Sequence, residues 1–62
     1  MKRRDLLKQL KALAKDENAT YLEVEGGGHT KVSFGGKQTV VPRHTEINEL
    51  TAKAILKHMR GE

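Results

Sequence analysis

Hydrophobic and polar positions divide the chain into five segments. From residue 3 to 16, Leu6, Leu7, Leu10, Leu13 and Ala14 recur at i, i+1, i+4, i+7 and i+8, the spacing of one buried helix face. Arg4, Lys8, Lys11 and Lys15 recur at i, i+4, i+7 and i+11, a second stripe on the same helix. Both patterns hold only if the segment is helical, so each supports the other. A polar break at residues 16–19 follows, and the period then changes to two. Residues 20–25 place Leu22 and Val24 on one side and Tyr21, Glu23 and Glu25 on the other, as a half-buried strand does. Residues 29–34 alternate again, with Thr30, Val32 and Phe34 against His29, Lys31 and Ser33. Residues 37–41 form a third strand that ends at Pro42, which has no N–H for a ladder. The pattern leaves open which of Val40 and Val41 faces inward. Gly26-Gly27-Gly28 turns the chain between the first two strands, and Gly35-Gly36 signals a tight hairpin between the second and third. The last helix is expected over residues 48–60, with Ala52, Ile55, Leu56 and Met59 on one face and Lys53, Lys57 and Arg60 beside them. Asn48 suits its N-cap, Glu49 its positive end and Gly61 its stop.

Three short strands joined by glycine turns predict an antiparallel meander. Leu22, Val24, Val32 and Phe34 are expected on its packed face, and Glu23, Lys31, Ser33 and His29 on its wet one. Both helices need that packed face to cover their own apolar stripes. The predicted fold is therefore α+β: two layers, order α-β-β-β-α, a three-stranded antiparallel sheet with two helices on one face. The chain has 62 residues, so residues 1–62 are read as a single domain. Tyr21 and Phe34 are its only aromatics and it has no cysteine, so Leu, Ile, Val, Ala and Met must build the core.

A formal net charge of +4 favours a polyanion or an acidic protein surface as partner. No run approaches the ~20 apolar residues of a membrane span. The basic start Met1-Lys2-Arg3-Arg4 is not followed by the apolar stretch of a signal peptide. A cytoplasmic protein with no membrane partner is expected.

Chemistry concentrates at Gly26-Gly27-Gly28-His29 and at Pro42-Arg43-His44. Histidine exchanges a proton near neutrality, and glycine lets a backbone turn through positive φ and pass close to a bound group. A histidine at the mouth of a Gly-rich turn is thus a candidate proton-transfer group. The competing reading makes His29 a surface residue, the glycines a plain hairpin turn and the basic stripes solvated faces.

The α-β-β-β-α order with basic helices is that of double-stranded-RNA-binding domains. Lys2-Arg3-Arg4-Asp5-Leu6-Leu7-Lys8, the Gly-His turn, Val40-Val41-Pro42-Arg43-His44, Glu46-Ile47 and Thr51…Ile55-Leu56-Lys57 follow in order. Together they resemble the HicA family of bacterial toxins over almost the whole chain. The resemblance implies a small ribonuclease, the mRNA interferase of a type II HicA/HicB toxin–antitoxin system. Such a toxin cuts messenger RNA, arrests growth and is neutralised by a HicB antitoxin that covers its active face. The family's catalytic histidine lies in a Gly-Ser-His turn, matched here by Gly27-Gly28-His29. The chain departs from the pattern at Gly28, where serine is usual, at Thr30, where a second histidine is frequent, and at Leu50, where glycine is usual.

RNA carries its own nucleophile, the 2′-OH, so cleavage needs a base and a cation near the phosphate. His29 is the candidate base. Lys31, two residues on, shares its strand face and suits charge neutralisation. Arg43 suits bidentate phosphate binding. His44 is a candidate to protonate the leaving oxygen, although sequence does not set its distance from His29. Gly28, Lys8 and Lys11 complete the expected substrate contacts. No metal and no cofactor are expected, because the three histidines lack zinc-like spacing and no cysteine assists them. Two other readings fit the same basic surface: a non-catalytic RNA-binding module, and a degenerate family member that only binds a partner protein.

Overall fold

The computed structural model describes residues 1–62. Helix α1 (Arg3–Asp16) is followed by strands β1 (Leu22–Glu25), β2 (His29–Phe34) and β3 (Lys37–Pro42), and by helix α2 (Glu49–Met59). The strands form an open antiparallel sheet in the order β1-β2-β3. Fold class, element order and sheet type are those the periodicity predicts.

Local chemistry explains where each element stops. After α1 the chain adopts a left-handed conformation at Asn18, φ 55°. The Ala19 N–H then reaches back to the Ala14 carbonyl at 2.9 Å and the Asn18 N–H to Lys15 at 3.0 Å, a Schellman stop with asparagine in place of glycine. Helix α2 ends the same way at Gly61, φ 83°, with Glu62 N–H to Lys57 O at 3.1 Å and Gly61 N–H to His58 O at 3.0 Å. At its start the Asn48 side chain accepts from the Leu50 N–H at 2.8 Å. Helix α1 has no side-chain cap; its N-cap is Lys2. Instead, Lys2 pairs with Glu46 in an isolated antiparallel bridge, flanked by Arg3 N–H to Thr45 O at 2.9 Å and Ile47 N–H to Met1 O at 2.7 Å. This clip brings the beginnings of both helices to one end of the molecule.

Gly35 and Gly36, at φ 60° and 79°, form the two-residue turn with both central residues left-handed. It pairs Phe34 with Lys37 and thereby sets Val41 opposite Thr30 and Val40 opposite Lys31. Val41 is fully buried and Val40 is exposed, which resolves the choice between them. The core joins Leu6, Leu10 and Ala14 of α1, Val32, Phe34 and Val41 of the sheet, Ile47, and Ala52, Ile55, Leu56 and Met59 of α2. All buried strand residues lie on one face, so both helices cover that face. Each such large aliphatic side chain contributes about 1.5–3 kcal/mol on burial.

One expected face is inverted. Register places Leu22 opposite Ser33 and Val24 opposite Lys31, and Glu23 opposite Val32 and Glu25 opposite Thr30. Leu22 and Val24 therefore lie on the open face, 56% and 61% exposed, and Glu23 lies on the helix-covered side. Tyr21 takes the inner place before β1 and stacks on Phe34, with ring centroids 6.3 Å apart. No helix is long and apolar enough to cross a membrane.

Candidate functional site

Strand β2 sorts the candidate residues by parity. His29 and Lys31 project from the open face, both exposed, and Thr30 and Val32 project into the interior. Across the sheet, His29 faces Pro42, and Lys31 stands between Val24 and Val40. The Gly26 N–H donates to the His29 carbonyl at 2.8 Å and closes the β1–β2 connection. A methyl group at Gly26 would lie 3.3 Å from His29 Nε2 and 3.3 Å from the His29 carbonyl oxygen. The ring therefore rests over Gly26, and a side chain there would crowd it. None of Gly26, Gly27 and Gly28 adopts a positive φ, so the connection does not use the left-handed freedom that glycine allows. Gly27 and Gly28 have open space around them, so Gly28 is accessible to a ligand.

Arg43 follows Pro42, the strand partner of His29, and its side chain turns to Glu25. It donates to Glu25 Oε1. The same oxygen accepts from the Thr30 hydroxyl at 2.8 Å. That hydroxyl in turn accepts from an Arg3 guanidinium nitrogen, and Arg3 Nε donates to the Pro42 carbonyl at 3.1 Å. The Thr30 hydrogen bond, assisted by the hydrogen bond and charge of Arg43, holds the Glu25 carboxyl below the usual carboxylate range. Thr30 is fully buried. A histidine there would face the interior, so the position cannot place a second imidazole beside His29. Arg3, Glu25 and Thr30 were not among the site residues expected from sequence. The alternation of β2 does mark Thr30 as the one polar residue on an otherwise apolar face.

The remaining candidates are spread more widely. His44 is exposed two residues beyond Pro42, the partner of His29. Lys8 and Lys11 are exposed on α1, in the helix layer on the far side of the sheet from His29. Lys11 Nζ lies 5.7 Å from the Tyr21 ring centroid, a cation–π contact that places this stripe near the β1 edge. The Tyr21 hydroxyl donates to Glu23 Oε2 at 2.7 Å. Burial pushes that hydroxyl's pKa up, and Glu23 adds to the effect. His58, given no role from sequence, has its Nε2 3.0 Å from the Gln38 carbonyl of edge strand β3. No three His, Asp or Glu side chains converge on one point.

The structure thus gathers His29, Lys31 and Gly28 on or beside the open face, places Arg43 and His44 at the same end of the sheet, and separates Lys8 and Lys11 from them. No family model matches this chain, and no curated protein or solved structure matches it. The resemblance to HicA toxins rests on the sequence motifs alone.

Proposed function

We propose that this chain is a small basic endoribonuclease of the HicA type. On this reading it acts on messenger RNA in the cytoplasm and is neutralised by a HicB-type antitoxin. The observation that carries the reading is the pair His29 and Lys31, side by side and exposed on β2, with Gly26 leaving room for the imidazole. His29 removes the 2′-OH proton, and the 2′-oxygen attacks the adjacent phosphorus. Lys31 stabilises the charge that builds on the phosphoryl oxygens. The 2′-O–P bond forms as the P–O5′ bond breaks, and the 5′-oxygen takes a proton from water or His44. The products are a 2′,3′-cyclic phosphate and a 5′-hydroxyl. Lys8 and Lys11 add attraction for phosphate, and an RNA strand reaching both them and His29 passes round the β1 edge.

The test is cleavage of a defined RNA in EDTA, with the product ends identified, beside the same oligomer carrying 2′-deoxyribose at the cleaved nucleotide. Cyclic phosphate ends in EDTA and no cut in the deoxy oligomer are expected. Products with 5′-phosphates, or activity that EDTA removes and Mg²⁺ restores, would contradict the mechanism.

A second reading draws on the open face itself. Leu22, Val24 and Val40 are 56%, 61% and 46% exposed around Lys31, an apolar surface suited to a protein partner. It supports a degenerate member that binds an antitoxin-like protein without cutting RNA. A chain that binds such a partner and leaves RNA intact would favour this reading.

A further inference from the structure

The end of the molecule where both helices begin carries two adjoining clefts. One is lined by Lys2, Arg3, Arg4 and Thr45, the other by Arg3, Glu25, Arg43 and Thr45. Four of these side chains are cations and one, Glu25, is an anion. Two further acids at this end, Glu46 and Glu49, lie against the Met1 amine at 3.7 and 2.9 Å. Glu25 is the one carboxylate that lines either cleft.

We propose that Arg3, Thr30 and Arg43 form a phosphate-binding cradle and that Glu25 is its resident plug, displaced when a phosphodiester enters. The carboxylate oxygen of Glu25 marks where a phosphoryl oxygen sits, since both accept the same donors from guanidinium and hydroxyl groups. Two parts of the cradle are in place without Glu25. Thr30 is fully buried, and Arg3 is anchored by the Pro42 carbonyl at 3.1 Å. The Arg43 contact holds the plug weakly, because the Arg43 and Glu25 side chains are 49% and 53% exposed and half-exposed ion pairs stabilise little; the Thr30 hydroxyl, which donates to Glu25 Oε1 at 2.8 Å, donates to the entering phosphoryl oxygen instead. Rotation of the Glu25 side chain alone frees Arg43. The Arg4 amide, in the uncapped first turn of α1, adds a donor beside the first of these clefts. The cradle stands on this geometry. Only the identification of its phosphate as that of RNA rests on the ribonuclease reading.

Inorganic phosphate and a 2′-deoxy-protected RNA oligomer serve as probes, with binding followed by ¹⁵N chemical shifts of the Arg43 side chain and the Thr30 amide. Glu25→Gln keeps an acceptor for Thr30 and removes the competing charge; it should tighten both probes several-fold. Glu23→Gln, an equal change of charge on the same strand, should have a clearly smaller effect. Arg43→Ala should weaken both probes by about tenfold, the size of one charge-assisted hydrogen bond, and by more in the Glu25→Gln background. Thermal melts identify any variant that has lost its fold, and Arg43→Lys then replaces Arg43→Ala. Equal effects of Glu25→Gln and Glu23→Gln, or an unchanged phosphate affinity in the Arg43 variant, would overturn the cradle. Phosphate shifts at Arg43 without oligomer binding would support the cradle and overturn RNA as its ligand. RNA cleavage unaffected by either substitution would leave the ribonuclease reading standing and remove the plug.

Discussion

Replacing Val32 and Val24 by alanine, one at a time, tests which face of the sheet is packed. Both valines sit in alternating strands, and both look equally apolar in sequence. Val32 is fully buried and Val24 is 61% exposed. Truncating Val32 removes two buried methyl groups, worth about 0.8 kcal/mol each, and leaves a small cavity that adds about 1 kcal/mol. The expected loss at Val32 is about 2–3 kcal/mol. At Val24 most of the side chain is already in water, so the loss should stay within about 0.5 kcal/mol. In a domain of this length each kcal/mol shifts the melting temperature by about 4–8 °C. Val32→Ala should therefore melt about 10–20 °C lower and Val24→Ala only a few degrees lower. Far-UV circular dichroism during heating and in urea reads both. Equal losses at the two positions would refute the register. They would return Leu22 and Val24 to the core, which a one-residue slip of β1 would do.

Three further outcomes follow from particular contacts. Asn18→Val should cost about 1 kcal/mol, because a β-branched residue is strained at φ 55°, and Asn18→Gly should be nearly neutral; paired thermal melts decide. Glu25 and Glu49 both have carboxyl pKa values below the ordinary 4.5, Glu25 through Thr30 and then Arg43, Glu49 through the Met1 amine. The folded state thus binds fewer protons than the unfolded one, so their stabilisation is present above about pH 4.5 and is lost as pH falls below it. Melting temperature against pH should show that slope, and the Glu25→Gln/Glu49→Gln double variant should flatten it; an unchanged slope would contradict the assignment. Charge reversal of Lys8 and Lys11 should weaken unrelated RNAs about equally and reduce the salt slope by about 0.7 per lost single-strand phosphate contact, measured by fluorescence anisotropy over a salt series; unchanged affinity would return the stripe to a solvated face.

The helices were legible because periodicity and punctuation agree: apolar spacing sets the faces, Asn48 caps α2 and Gly61 stops it. The β2–β3 register was legible at Gly35-Gly36, because a glycine pair suits both left-handed positions of a two-residue hairpin turn. The inner face of β1 was not. Its alternation gives two candidate faces, and the length of the Gly26–Gly28 connection decides between them. The register that connection sets turns Tyr21 onto Phe34 and leaves Leu22 and Val24 outside, against their hydrophobicity. Of the candidate site, the parity of β2 alone is enough to place His29 and Lys31 together. The Arg3–Thr30–Glu25–Arg43 chain was not foreseen, because it joins the start of α1 to the far ends of all three strands. No local spacing encodes that meeting; the pairing of residues 1–3 with 45–47 creates it.

The central claim is that His29 performs the chemistry. The most direct test compares RNA cleavage by the wild-type chain and by His29→Ala, with both melting curves recorded. An exposed strand-end imidazole contributes little packing, so the variant should melt within a few degrees of wild type and should not cut RNA. A folded His29→Ala protein that cleaves at the wild-type rate would contradict the account.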